Sequence, residues 1–226
     1  IDVSVEGMDH QVENDLGPFA QWAGLNGIAR LSVGGETICQ HQAPYLTFGK
    51  VRVPTPPRAF TQATPQGERA LQEAVGRALD GAEKVVDLFS GAGTLGLPLA
   101  EVATLHCLEN DEGLLEALAH GVRHTQGIKK VTTSVRDLYR NPIDHTDLTQ
   151  FNAAIIDPPR AGAEQQVRQL AQSNLCDIAM VSCNPVTFAR DANLLCTGGY
   201  TLKWVEVVDQ FRWSPHIEIV AHFSKA

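Results

Sequence analysis

The segment from Val85 to Gly96, Val-Val-Asp-Leu-Phe-Ser-Gly-Ala-Gly-Thr-Leu-Gly, constrains this chain more than any other. An apolar run passes directly into G-x-G-x-x-G, and Glu109 closes the next apolar run about 20 residues after Asp87. Glycines at those points let backbone approach a ligand closely, and an acidic side chain at that distance can accept hydrogen bonds from both hydroxyls of a ribose. The pattern suits a nicotinamide dinucleotide or S-adenosylmethionine.

The surroundings carry the same signal. Short apolar runs at Val85 to Leu88, Thr104 to Glu109, Val131 to Val135, Ala153 to Asp157, Ile178 to Ser182, Thr201 to Val208 and Ile217 to Phe223 alternate with helical patterns near 94–101, 111–124, 163–173 and 187–196. Such alternation predicts an α/β fold, a doubly wound parallel sheet covered on both faces. No helical pattern separates the last two runs, so they are expected to form an antiparallel pair at one edge. A helix is expected to open at Thr64 and Pro65, with Ala70, Leu71, Ala74, Val75, Ala78 and Leu79 on one face. Residues 1–57 differ in texture: strands are expected at Asp2 to Glu6 and Thr47 to Val53, a turn at Gly34-Gly35, and a stiff linker at Pro54 to Pro57. We therefore expect residues 1–57 to be the remnant of a β-rich domain and 58–226 to be a second, catalytic domain. The chain opens on Ile1 rather than Met, which leads us to expect an upstream segment.

Composition excludes other classes. With 43% hydrophobic residues the chain can bury a sizeable core, and no apolar run approaches the roughly 18 residues of a membrane span. The net charge of −8 argues against coating nucleic acid by bulk charge. The five cysteines, at 39, 107, 176, 183 and 196, form no C-x-x-C pair, so we expect reduced thiols, a cytoplasmic location and no metal site.

Three further motifs fall at the carboxyl ends of expected strands, where open α/β sheets bind ligands. Asp157-Pro158-Pro159-Arg160 follows the fourth run, Ser182-Cys183-Asn184-Pro185 the fifth, and Glu218 begins the last within His216-Ile217-Glu218. Each has a plain structural reading: a proline turn, a packed thiol, an edge charge. An antiparallel last strand would nevertheless bring Glu218 to the rim that holds Cys183.

Together, and in this order, Phe60-Thr61-Gln62, Asp87 to Thr94, Glu109, Asp137, Asp157 to Gly162, Ser182 to Pro185 and His216 to Glu218 resemble the RNA (uracil-5)-methyltransferase family over about residues 58 to 226. Its members make 5-methyluridine in transfer RNA and 23S ribosomal RNA. The resemblance implies a class I S-adenosylmethionine-dependent methyltransferase fold, Rossmann-like, with a mostly parallel seven-stranded sheet. It implies a cofactor site of Gln62, Phe89, Gly91, Gly93, Thr94, Glu109, Asp137 and Asp157, with Glu109 on the ribose, Asp137 near the adenine, and Gln62 and Asp157 near the methionine end. Cys183 is implied as the nucleophile and Glu218 as the base. Phe60, Arg160 and Phe211 are candidate substrate contacts, and Trp213 a further stacking surface. Arg212 and Trp213 stand where relatives often have proline and histidine, which alters the rim of the substrate pocket.

The chemistry calls for these residue types. Carbon 5 of uracil is a poor nucleophile; a thiolate adding to carbon 6 makes it electron-rich, and a carboxylate then removes its proton. Arg160 and Arg190 are expected to lower the thiol pKa. Lys50, Arg52, Arg58, Arg160, Arg190 and Arg212 are expected to give the crevice local positive potential. RNA is the expected partner, ribosomal more than transfer RNA, with no membrane involved. Three alternatives stand beside this reading: a nicotinamide-dependent dehydrogenase, a methyltransferase acting on an exocyclic amine of nucleic acid, and a non-catalytic RNA-binding module with a vestigial cofactor pocket. The first leaves Asp157 to Gly162 and Ser182 to Pro185 unexplained.

Overall fold

The structure, a computed structural model, describes residues 2–6, 16–211 and 213–225. Its centre is a seven-stranded sheet made of β6 (Lys84–Leu88), β7 (Thr104–Glu109), β8 (Val131–Val135), β9 (Ala153–Ile156), β10 (Asp177–Ser182), β11 (Thr201–Val208) and β12 (Glu218–Ser224). The spatial order is β11-β12-β10-β9-β6-β7-β8. The five strands β6 to β10 are mutually parallel, while β12 runs antiparallel to both β10 and β11. The chain reverses its winding direction between β8 and β9, so β9 lies beside β6, and the crevice expected at a switch point opens there.

Alternation along the strands explains the layering. Val85, Ile155, Ala179 and Val181 face α2 (Pro65–Ala78), α3 (Glu112–Arg123) and a short 3-10 helix at Leu97–Glu101. Val86, Leu88, Ile156, Ile178 and Met180 face α4 (Glu164–Gln172) and α5 (Pro185–Thr197). Apolar residues on both faces of each parallel strand account for the near-continuous apolar runs in the sequence. Helix α2 starts as its residues dictate: Thr64 Oγ1 accepts from Gly67 N at 3.0 Å, and Pro65 takes the first turn.

Two expectations need correction. The pattern at 94–101 is not an α-helix: the glycine-rich segment turns without regular helix until the 3-10 piece at Leu97–Glu101. Close packing of Gly93 on Leu97 and Leu118, and Pro98 in the short helix, leave no room for a full α-helical start. The single strand expected at Thr47 to Val53 is a hairpin, β4 (Tyr45–Phe48) and β5 (Val51–Pro54), which turns at Gly49-Lys50. Its Phe48, Val51 and Val53 are fully buried in the core beside α2 and α3.

The leading segment also holds α1 (Gly17–Leu25) and a small sheet in the order β1 (Asp2–Val5), β2 (Arg30–Val33), β3 (Glu36–Gln40). Buried Arg30 ties this sheet down, pairing with Asp2 and donating to Thr55 O at 2.7 Å. No helix among the described residues is long and apolar enough to cross a membrane.

Candidate active site

The carboxyl rim of the sheet gathers the expected site residues into two linked groups. The first surrounds the glycine loop. Leaving β6, Phe89 takes a left-handed backbone (φ 62°), a conformation costing roughly 1–3 kcal/mol for such a residue, and its ring lies 5.4 Å from that of Tyr139. Ser90 N donates to Leu108 O, which brings the loop across the end of β7. There the Glu109 carboxylate accepts from Gly91 N at 3.0 Å, Asn110 N at 2.7 Å and Asp111 N at 3.1 Å. Three backbone donors fix its orientation and leave one lone pair free, on Oε2. Asp137, just past β8, accepts from Tyr139 N and Arg140 N through Oδ1. The half-buried Thr94 uses its carbonyl to accept from Gln72 Nε2 at 3.0 Å.

The second group lies across the switch point. Ser182 pairs with Ile219, so Cys183, one residue past the end of β10, and Glu218, the first residue of β12, meet at the same end of the sheet. Asp157 follows β9, and its N–H donates to Leu88 O, which seats it beside the end of β6. Electrostatics tie the two groups together. Buried Asp87 is pushed up to about 8 by desolvation and by the charges of Asp157 and Glu109, and its Oδ2 has no hydrogen-bond partner. Asp157 is pushed up to about 7 by burial and Glu218. Glu218 is itself raised by burial, against a hydrogen bond with Gln210 that lowers it. The row of carboxylates is short of positive charge.

The thiol does not behave as expected. Burial raises the Cys183 pKa, Glu218 and Asp157 raise it further, and the opposing influence of Arg160 is smaller. Arg190 is engaged elsewhere, with Asp191 and Glu164. That pair instead builds the neighbouring loop. Buried Asp191 accepts from Ala163 N at 3.0 Å, while Asn184 Nδ2 and Thr187 Oγ1 both donate to Arg160 O. Gly162 sits at φ 70°, where an added Cβ would lie 2.5 Å from Arg190 Nη2 and 2.6 Å from Asp191 Oδ2. The proline loop and the start of α5 are thus clamped as one unit carrying Cys183.

Other expectations divide. Gln62 joins the second group, accepting through Oε1 from Gln210 Nε2 at 2.7 Å. Half-buried Phe211 meets His216 edge-on at 6.1 Å, and Trp213 is fully exposed. Phe60 is 72% exposed ahead of α2. Lys50 and Arg52 do not line this crevice. They border a separate cleft of about 540 Å³ with Tyr45, His120 and His124, and Lys50 pairs with Glu101. Arg58 pairs with Glu6, and Arg212 lies outside the described residues. Among the described residues no group of three or more His, Cys, Asp or Glu is arranged to hold a metal ion. Sequence reasoning missed Asp87 as a raised carboxyl and Gln210 altogether; a buried Asp inside the strand was the available signal for the first, and none existed for the second.

A family model described as tRNA (Uracil-5-)-methyltransferase matches residues 123–226. An uncharacterized RNA methyltransferase of Mesorhizobium japonicum is 47% identical over 199 residues, which are 88% of this chain and 48% of that protein. The 23S rRNA (uracil(1939)-C(5))-methyltransferase RlmD of Chromobacterium violaceum is 34% identical over 81% of this chain and 38% of its own length. The crystal structure of Pyrococcus abyssi tRNA (uracil-54, C5)-methyltransferase in complex with S-adenosyl-L-homocysteine superposes with a TM-score of 0.73 and 26% identity, covering 86% of this chain and 50% of that one. The chain spans about half the length of the curated relatives it matches most fully.

Proposed function

We propose that this chain, a member of the RNA (uracil-5)-methyltransferase family, methylates carbon 5 of a uridine in RNA through a covalent Cys183 adduct. The observation that carries the reading is the Ser182–Ile219 pair, which brings the adjoining Cys183 and Glu218 to one end of the sheet, on the rim that holds the glycine loop. A methyltransferase acting on an exocyclic amine needs no thiol there, and a binding module needs neither group.

The residues fit S-adenosylmethionine. Space is open above Gly91, where an added Cβ would meet nothing within 4 Å. Beside it, Glu109 is held with one free lone pair, on Oε2, suited to a ribose hydroxyl. The raised carboxyls of Asp87 and Asp157 suit a ligand bearing both a sulfonium and an ammonium charge. When bound, that cofactor supplies an electrophilic methyl group.

The chain's own residues do the rest. Cys183 Sγ, as thiolate, forms a bond to carbon 6 of the uracil, and the ring electrons move onto the carbon 4 oxygen as an enolate, which makes carbon 5 nucleophilic. Once carbon 5 carries its methyl group, Glu218 takes the carbon 5 proton. The electrons of that C–H bond form the 5,6 double bond, and the bond to sulfur breaks, returning Cys183 as thiolate. Target uridines must leave the stack to reach the rim, and exposed Trp213 and half-buried Phe211 offer surfaces for base stacking. Ribosomal RNA is our first substrate, supported by the 34% identity to the RlmD protein, which makes the cytoplasm the working compartment. The transfer RNA named by the family model and the Pyrococcus structure is the second reading.

The test uses RNA containing 5-fluorouridine with S-adenosylmethionine. Fluorine cannot leave as a proton does, so a covalent protein–RNA adduct is expected from the unaltered protein and none from Cys183→Ala. Absence of adduct in the first case, or its persistence in the second, overturns the assignment.

A further inference from the structure

Lys50 and Arg52 border a cleft that the methyl-transfer chemistry does not use. We propose that this cleft is a second RNA-binding site, which holds an RNA strand by its phosphates and stacks one base, about a helix length away from the rim. The inference rests on the RNA-methylation reading and adds to it where the substrate is gripped outside the target uridine.

Two segments far apart in sequence build the cleft. One wall is the outer face of the β4–β5 hairpin. Leu46, Phe48, Val51 and Val53 pack into the core, so strand alternation turns Tyr45, Arg52 and Pro54 outward. The other wall is the last turn of α3 and the chain that leaves it, from His120 to Gln126. Gly121 lets the two walls meet: an added Cβ would lie 2.6 Å from Arg52 O and 3.0 Å from Val51 Cγ1. Helix α3 starts just past Glu109 on the rim and runs 12 residues, roughly 18 Å, toward the amino ends of the strands. The cleft therefore stands apart from Cys183 and Glu218.

Its lining is cationic and aromatic. The Arg52 guanidinium lies over the Tyr45 ring, 3.5 Å from the centroid. That contact holds the guanidinium flat without using its N–H donors, and among the described residues no carboxylate pairs with it. The rings of His120 and His124 lie 4.3 Å apart, and His124 Nδ1 donates to His120 O at 2.8 Å, which leaves Nε2 for a ligand. Lys50 pairs with Glu101, but both side chains are well exposed, and such a pair yields readily to a phosphate.

Charge and shape select the occupant. The chain carries a net charge of −8, yet no Asp or Glu occurs from Tyr45 to Pro54 or from His120 to Lys130. Those two stretches hold Lys50, Arg52, Arg123, Lys129 and Lys130. Cations gathered on a protein that is acidic elsewhere favour a polyanion. At about 540 Å³ the cleft has room for a nucleotide. Tyr45, Arg52, His120 and His124 are all exposed, which suits a strand lying across them better than an enclosed small ligand. Arg52, flattened on Tyr45, presents a plane on which a base can stack.

The experiment measures binding of a fluorescein-labelled 23S ribosomal RNA fragment by anisotropy across a KCl series. In the double variant Lys50→Gln, Arg52→Gln the slope of log affinity against log salt should shrink by about 1.5, from two phosphate contacts at roughly 0.7–0.9 each. That corresponds to about thirtyfold weaker binding at about 0.1 M salt. Tyr45→Ala should weaken binding about tenfold with the slope nearly unmoved, and Tyr45→Phe should restore it, because the ring and not the hydroxyl carries the stack. Arg77→Gln with Lys203→Gln removes the same charge from α2 and β11, at the opposite edge of the sheet, and should leave affinity and slope unchanged. All of these side chains are exposed, so the fold is kept. An unmoved slope in the Lys50 and Arg52 variant, full affinity in Tyr45→Ala, an equal loss in the Arg77 and Lys203 variant, or no binding by the unaltered protein overturns the cleft as an RNA site. Weakened RNA binding by the cleft variants, beside an unaltered protein that forms no 5-fluorouridine adduct, keeps the cleft and overturns the methylation reading.

Discussion

Replacing Glu218 by glutamine should make Cys183 more acidic. Cys183, one residue past β10, and Glu218, the first residue of β12, flank the Ser182–Ile219 pair, which puts their side chains on the order of 5 Å apart. Two unit charges at that distance interact by about 3 kcal/mol at an effective dielectric constant of 20, or about two pKa units. Cys183 is half-buried rather than sealed, so solvent screening brings the expected shift to about one unit. The Glu218 charge raises the thiol pKa, and glutamine keeps the shape while removing that charge. The assay is the rate of iodoacetamide alkylation at Cys183 across pH 7 to 10, read peptide by peptide so that the other four cysteines do not interfere. The midpoint for Glu218→Gln is expected about one unit below that of the unaltered protein, with about tenfold faster alkylation on the acid side. A midpoint that stays or rises would show that the thiol is not governed by the rim carboxylates. Asp157→Asn should act in the same direction with a smaller shift.

The remaining predictions concern stability. Asp87 has a folded pKa of about 8, above the ordinary carboxylate value, so the folded state holds a proton that the unfolded chain releases near pH 4. Its contribution is therefore fully present below pH 4 and lost as pH rises to about 8; Asp87→Asn should flatten the decline of Tm between pH 5 and 8, and an unchanged slope contradicts the assignment. Gly162→Ala combines a left-handed backbone with contacts under 3 Å on Arg190 and Asp191, and should cost about 1–3 kcal/mol in urea unfolding while slowing adduct formation. Unchanged stability would mean that the clamp between the proline loop and α5 is loose.

The sheet was legible because its strands are short apolar runs buried on both sides, and because the gap between Val208 and Ile217 carries no helical period. The 94–101 segment misled because its spacing is helical, while Gly93 and Pro98 impose a tighter local path. The hairpin at Tyr45 to Pro54 was hidden by uniform strand-forming residues on either side of a two-residue turn. For the site, Cys183, Glu218, Asp157 and Glu109 stood in motifs at strand ends, so their neighbourhood could be expected. Arg190 could not be assigned from sequence, because its partners Glu164 and Asp191 are set by tertiary packing. Gln210 illustrates the limit: its meaning depends on Gln62, 148 residues earlier in the chain.

Strand β12 is the last strand in the sequence, yet it lies inside the sheet, between β10 and β11. The edge strand β11 joins the sheet only through β12, so the strand that brings Glu218 to the rim also holds the edge in place. A defect at Val220, Ala221 or Phe223, the fully buried centre of β12, would thus loosen the sheet edge and the rim position of Glu218 together.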